Sequence, residues 1–383
     1  MVKKRWGVYV HIPFCRKKCF YCDFPSYAGR EGDREEYTRA LCREIRSQGS
    51  SYRLRWGDPA TIYIGGGTPT SLPPQCMKDI LDALSETFPP AKGREFTVEC
   101  NPGTVDEAYF QILREGAVNR LSFGVQSFDD RLLQAIGRIH TAGEAAAAVR
   151  MARKAGFDNL SLDLMYGLPG QTMADLERSV QQALELAPQH LSIYGLQVEE
   201  HTVFWDRRER GELNLPDDEE AERMYDYMTS VLPAHGYARY EISNFARPGF
   251  ASRHNLAYWQ DVPYLGLGAA AHSYLDGRRW ESEADLSRYM DQVKRGIRPI
   301  HPEEEMTDAV AMEEFCFLAL RTAAGISRRR FAEKFGQELD RVYEGAIREM
   351  VRKGLLADKG DSVYLTELGM KFGNLVFEAF LLT

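Results

Sequence analysis

The sequence predicts an α/β protein: an open, partial (β/α)6 barrel built on a mostly parallel sheet, followed by a C-terminal winged-helix-like domain. Three observations predict it. Six short β-type runs recur at intervals that leave room for a helix between them. The intervening segments carry helical composition, and beyond residue 300 the order changes to helices followed by a small hairpin. At 383 residues with 44% apolar content, the chain can bury one large α/β core and a smaller second one.

The elements follow in order. The first run is WGVYVHI, 6–12, and it leads straight into the loop FCRKKCFYCDF. The others are TIYIG, 61–65, EFTVEC, 95–100, RLSFGV, 120–125, NLSLDLM, 159–165, and HLSIYGLQV, 190–198. The clearest helix between them is TAGEAAAAVRMARKAG, 141–156, rich in strong helix formers and closed by Gly156 where a C′ glycine belongs. Strand alternating with helix builds βαβ units, whose functional groups gather at the carboxyl ends of the strands. Six units suit an open barrel better than a closed eight-stranded one.

Past residue 200 comes the charged, helical stretch RRERGELNLPDDEEAERMYDYM. An aromatic and glycine-rich stretch, 240–277, is expected as irregular structure with short strands, and RPIHPEEEM, 298–306, as a linker. MEEFCFLALRTAAGISRRRFAEKFG and the segment after it give helix, turn, helix, helix and hairpin. The organisation is therefore 1–235 for the partial barrel, 236–300 for a segment completing it, and 301–383 for the winged-helix-like domain. No internal repeat exceeds the βα rhythm, and no tract is of low complexity.

Charge and composition exclude several classes. The 48 basic residues are outnumbered by 56 acidic ones, and no apolar stretch approaches the roughly 18 residues that span a bilayer. Residues 301–383 hold 11 Lys and Arg against 15 Asp and Glu, the wrong sign for a phosphate-binding footprint. The SRRRF run, 327–331, reads as a solvated helix start, and the domain as a lid or a partner-docking surface. Seven cysteines is an odd count, and MVKKRW enters a strand without an apolar signal segment. A reducing, cytoplasmic setting is expected, with metal or catalytic thiols rather than disulfides.

Cys15, Cys19 and Cys22 form C-x3-C-x2-C directly after the first strand. Three thiolates on so short a loop can point at one centre. Structural zinc wants four closed ligands, and the next cysteine, Cys42, lies inside a predicted helix. A four-iron cluster held by three cysteines leaves one iron for an exchangeable ligand. Zinc with His11 as fourth ligand is the alternative, and three metal-free buried thiols the bland reading. Cys42, Cys76, Cys100 and Cys316 sit in no ligand-like group and are read as structural thiols.

At the ends of the next strands stand Gly66, Gly67 and Thr68 in YIGGGTPT, Glu99 in VECNP, Gln126 in SFGVQSF, Arg138 in IGRIH and Asp163 in LDLMYGLPGQT. The glycines let backbone approach a ligand closely. Singly, each charge is more often a solvated rim residue. Five such positions on successive units of one sheet favour a shared ligand.

The cysteine spacing and its place after the first strand resemble the signature of the radical SAM superfamily. That resemblance implies a [4Fe-4S] cluster whose open iron is chelated by S-adenosylmethionine, which is cleaved reductively to a 5′-deoxyadenosyl radical. Nearly the whole chain is similar to the branch containing oxygen-independent coproporphyrinogen III oxidase. On that resemblance Gly66, Gly67 and Thr68 meet the methionine part of the cofactor, Glu99 and Arg138 its amino and carboxylate charges, and Gln126 and Asp163 the ribose. Tyr9 and Tyr21 flank the site. A zwitterion held out of water needs partners of both signs.

Two features depart from the oxidase pattern: Phe24 stands where the oxidases carry a fourth cysteine, and the first strand begins by Trp6 without their long extension. Both belong to the related heme chaperone family, HemW. HNLAYW, 254–259, matches that family's H-N-x-x-Y-W motif, associated there with heme binding. The resemblance implies heme as ligand, with His254 bound to iron and Tyr258 and Trp259 covering the ring, although a single His in an aromatic segment is more often a hydrogen-bonded structural residue. It also implies a heme-accepting protein, an electron donor for the cluster and peripheral contact with membrane-bound acceptors, while the charge balance above argues against nucleic acid as a partner. A coproporphyrinogen III oxidase and a radical-based nucleic-acid modifier are the alternatives.

Overall fold

The apolar runs pair side by side in sequence order, as βαβ units require. The structure is a computed structural model describing residues 5–301 and 304–382, so residues 1–4 of MVKKRW and 302–303 of the expected linker lie outside it. The six strands are β1 Gly7–Ile12, β2 Thr61–Gly66, β3 Glu95–Cys100, β4 Arg120–Gln126, β5 Leu160–Tyr166 and β6 His190–Gly195. They pair in parallel, β1 to β6 in order, with their apolar faces buried beneath the helices. The sixth run, expected to 198, ends at Gly195, since its outer partner pairs only with His190 to Ser192.

The remaining strands extend both edges. β7 Ala238–Arg239 and β8 Asn244–Ala246 add antiparallel pairs beyond β6. On the other side β9 Tyr264–Leu267 joins β1 in parallel, followed by the antiparallel β10 His272–Leu275, β11 Arg278–Glu281 and β12 Glu304–Glu305. The order is β12-β11-β10-β9-β1-β2-β3-β4-β5-β6-β8-β7, an open sheet and not a closed barrel. Part of the expected linker is therefore a sheet strand. The stretch 240–277 also contains a helix that periodicity did not suggest, Arg253–Trp259, capped by Ser252, whose side chain accepts from the Asn255 N–H.

The C-terminal domain has three helices, Asp308–Leu320, Arg328–Phe335 and Leu339–Arg352, and the hairpin β14 Leu356–Lys359 with β15 Ser362–Leu365. The short β13 Ile326–Ser327 pairs with β15, completing a three-stranded wing. Two short helices, Glu367–Lys371 and Gly373–Glu378, follow the hairpin and were not expected. The domain has its own apolar core, with Cys316 and Phe331 at its centre.

The place of this domain corrects one expectation. Lys334 pairs with Asp261, Arg330 donates to the Gln260 carbonyl at 2.6 Å, and the Arg321 guanidinium lies 4.6 Å above the Trp259 ring. The Arg253–Trp259 helix packs in turn on Thr61 and Glu95, at the amino ends of β2 and β3. The domain is thus anchored at the end of the sheet opposite the strand carboxyl ends, and it does not act as a lid over them. Among the described residues no helix is long and apolar enough to cross a membrane.

Candidate metal and cofactor site

The cysteine loop is tied at its neck. Cys15 N–H donates to the Tyr27 carbonyl at 3.1 Å, and Tyr27 N–H donates to that of Pro13 at 2.7 Å. Within it, Cys22 N–H donates to the Cys19 carbonyl at 3.2 Å, and Lys18 Nζ reaches the Phe24 carbonyl at 3.1 Å. The glycine-rich turn after β2 packs against this loop. Thr68 N–H donates to the Phe14 carbonyl at 2.8 Å, and Thr68 Oγ1 lies 3.4 Å from Cys15 Sγ. A Cβ on Gly67 would meet the Phe14 oxygen at 2.8 Å and Cys15 Sγ at 3.1 Å, so this close approach needs glycine. Gly66 has φ 111°, and a Cβ there would meet the His11 ring at 2.5 Å.

Turn, loop and strand ends enclose a cavity of about 380 Å³. Its wall contains Cys15, Cys19, Cys22, Tyr21, Gly66, Gly67, Thr68, Glu99, Gln126, Arg138 and Asp163, drawn from the carboxyl ends of five strands and the segments that follow them. All seven cysteines of the chain are free thiols. Burial pushes the Cys22 thiol up to about 11, so it stays protonated until a metal takes it. Among the described residues no set of three His, Cys, Asp or Glu converges as a single-ion site. A four-iron cluster binds its three thiolates at three different irons and does not need them to meet at one point. His11 is spoken for: Nδ1 bonds the Tyr9 hydroxyl at 2.9 Å and Nε2 the Pro25 carbonyl at 2.8 Å. It offers no nitrogen as a fourth zinc ligand.

Groups of both signs line the cavity. Glu99 Oε1 accepts from the Tyr63 hydroxyl at 2.7 Å and Oε2 from the Gly66 N–H at 3.1 Å. Burial pushes its carboxyl up to about 7, and Asp163 adds to the rise. Burial likewise raises Asp163, whose Oδ1 accepts from Ser122 at 3.4 Å. Arg138 holds the Asn101 side chain at 2.9 Å, touches Cys19 Sγ at 3.5 Å and bonds the Gly124 carbonyl, while its buried Nε has no partner. Burial works against its charge; Tyr21 and Cys19 work for it. A buried guanidinium with an orphaned N–H at a cavity wall fits a ligand carboxylate. Gln126 sits in the left-handed region at φ 69°, beside an irregularity in the β4–β5 pairing. Such a conformation in a residue other than glycine persists only where its surroundings impose it.

Four of the expected residues lie elsewhere. Tyr9 is one layer below the cavity, its ring stacked 6.2 Å from that of Tyr63. His254, Tyr258 and Trp259 are on the helix at the amino ends of the strands. His254 is 1% exposed; its Nδ1 bonds Thr61 Oγ1 at 2.8 Å, its Nε2 bonds the Tyr258 hydroxyl at 2.9 Å, and its ring stacks 5.0 Å from Tyr63. In this geometry neither nitrogen is available to iron, because both are committed to hydroxyls inside the barrel. Burial holds the imidazole down at about 3, so it is neutral. Tyr258 stacks edge-on against Tyr264, and Trp259 faces Arg321.

Sequence reasoning missed Tyr194, Asn101, Ser122 and Met165, which also line the cavity, and Tyr63, which holds Glu99. Tyr194 and Asn101 stand at strand ends like the residues that were found, so the same positional rule reaches them. Tyr63 lies three residues inside its strand and carried no such signal.

The sequence profile of the Radical SAM superfamily matches residues 9–183, and that of the HemN C-terminal domain matches 306–372. The chain is 43% identical over 376 residues to the heme chaperone HemW of Bacillus subtilis, covering 98% of this chain and 99% of that one. It is 35% identical to the heme chaperone HemW of Escherichia coli, with 98% of each chain covered. The fold superposes on coproporphyrinogen III oxidase, HemN, of Escherichia coli with a TM-score of 0.84 at 22% identity, covering 99% of this chain and 90% of that one.

Proposed function

The chain belongs to the heme chaperone HemW family within the radical SAM superfamily, and from that membership we propose that it binds heme and delivers it to an acceptor protein, holding a [4Fe-4S] cluster and S-adenosylmethionine at the carboxyl ends of its strands. Cys15, Cys19 and Cys22 hold three irons. Gly66, Gly67 and Thr68 bring backbone against the methionine part, Glu99 and Arg138 take its amino and carboxylate groups, Gln126 and Asp163 the ribose, and Tyr21 closes one side. When bound, the cluster supplies an electron to the sulfonium of S-adenosylmethionine. Arg138, beside both Cys19 and the open cavity, links the cluster loop to the cofactor carboxylate.

Heme is flat and apolar and carries two propionates. The cavity rim offers Phe24, 63% exposed, and Tyr194, 40% exposed, with Lys17 and Lys18 on the same wall. Stacking surface and cations together suit such a macrocycle better than the enclosed His254 does. The proposal brings with it an acceptor protein, an electron donor for the cluster, approach to membrane-bound acceptors, and a reducing cytoplasm.

One observation carries the reading: 43% identity along 98% of the chain to a protein named as a heme chaperone. The oxidase alternative has the shared fold and the match to the HemN C-terminal domain behind it, but Phe24 stands where its pattern has cysteine. The test is an anaerobic titration of the cluster-loaded protein with heme, followed at the Soret band. Saturation at one heme per chain is expected; a linear rise without saturation would refute specific binding.

A further inference from the structure

Tyr63 opens the YIGGGTPT turn, but it lies beneath the cavity, held by its ring contacts and by one hydrogen bond. Its ring stacks with those of Tyr9, at 6.2 Å and 29°, and His254, at 5.0 Å and 23°. His254 is itself fixed by Thr61 and Tyr258. The hydroxyl so placed donates to Glu99 Oε1 at 2.7 Å. A Cβ on Gly65 would come within 2.8 Å of the Tyr63 ring and 2.9 Å of the Glu99 carboxyl, so glycine makes room for the pair.

We propose that Tyr63 is a positioning residue of the cofactor site: its hydroxyl fixes the Glu99 carboxylate and stabilises its ionised form, setting the pH range over which the amino group of S-adenosylmethionine is bound. This rests on the reading above that Glu99 meets that amino group. Tyr63 is not in the cavity wall; it acts on the site through its hydrogen bond to Glu99.

The electrostatics supply the direction. Glu99 is faced by Tyr9 from β1, Tyr63 from β2, Arg120 from β4, Asp163 from β5 and Tyr258 from the Arg253–Trp259 helix, with Cys100 beside it on β3. Burial and Asp163 raise its pKa, to about 7 overall; the Tyr63 hydroxyl, the Gly66 N–H and Arg120 lower it. Tyr63→Phe removes one of the groups that lower it, while the ring and its stacking remain. Glu99 then titrates at higher pH. Near neutrality less of the protein carries the carboxylate, and the cofactor binds more weakly; well above the new midpoint the difference closes.

The experiment measures the dissociation constant of S-adenosylmethionine on anaerobically reconstituted protein between pH 6.5 and 9, for wild type, Tyr63→Phe, Glu99→Gln and the double variant. Titration of the cofactor's own amino group is common to all four and cancels in the comparison. At pH 7.5 Tyr63→Phe should bind roughly tenfold more weakly, from the worth of a hydrogen bond to a charged group. The gap should narrow toward pH 9, and the Tyr63 substitution should have no further effect in Glu99→Gln. A second reading needs no cofactor: the infrared carboxyl band lost in Glu99→Gln should titrate near pH 7 in wild type and higher in Tyr63→Phe. Should wild type bind no S-adenosylmethionine, the cofactor reading falls and the infrared midpoint still decides the role of Tyr63. Parallel binding profiles, or an unchanged infrared midpoint, would overturn the proposal.

Discussion

His254 shows how much of a side chain's role is decided by what surrounds it. Both its nitrogens bond hydroxyls inside the barrel, so His254→Ala leaves Thr61 and Tyr258 without partners and opens a cavity beside Tyr63. The variant should lose about 2–4 kcal/mol of stability, read as a melting temperature several degrees lower, while the Soret band of bound heme stays unshifted. A shifted band at an unchanged melting temperature would return His254 to the heme. Glu99 makes a prediction of the opposite sign. Its folded pKa, about 7, lies above the carboxylate's unfolded value, so its charge costs stability that is absent below the unfolded value and fully present above about pH 7. Cofactor-free Glu99→Gln should therefore melt higher than wild type at pH 8, and the difference should vanish toward pH 4.5. The residues at the mouth were legible because period-2 alternation and strand ends say which side chains face outward there. Tyr9 and Tyr63 were not, because a side chain inside a barrel reads like any buried aromatic until its neighbours are known.

Among the elements, the six parallel strands were legible to within a residue or two at most ends, since apolar runs buried on both faces leave little freedom of register. The Arg253–Trp259 helix was not, for seven residues of mixed aromatic and polar character are too few for a period to emerge. Its Ser252 cap was the available signal. Glycines separate two kinds of element. Gly66 at φ 111° lies against His11, so Gly66→Ala should cost at least ~2 kcal/mol and abolish cofactor binding. Gly345, inside the Leu339–Arg352 helix with nothing within 4 Å of a new Cβ, is the control. Gly345→Ala should raise stability by about 0.5–1 kcal/mol, checked by chemical denaturation of both variants.

At the scale of the whole molecule, the sheet divides its labour between its two ends. The carboxyl ends hold the three-cysteine loop and the charged cavity; the amino ends hold the Arg253–Trp259 helix, against which the C-terminal domain packs. A lid or a partner-docking surface was the expectation for the appended domain, and the contacts of Arg321, Arg330 and Lys334 show that it docks at the far side. The division predicts independence: Cys15→Ala, Cys19→Ala or Cys22→Ala should each lose the iron, and Cys316→Ala, in the core of the second domain, should keep it, by iron and sulfide analysis after anaerobic reconstitution. The central claim, that the molecule hands heme on, is tested by mixing the heme-loaded protein with increasing concentrations of an apo-form heme acceptor and following heme departure by absorbance. A chaperone gives a rate that rises with acceptor concentration and saturates, because transfer proceeds through a complex. A rate equal to spontaneous dissociation at every acceptor concentration would contradict the account.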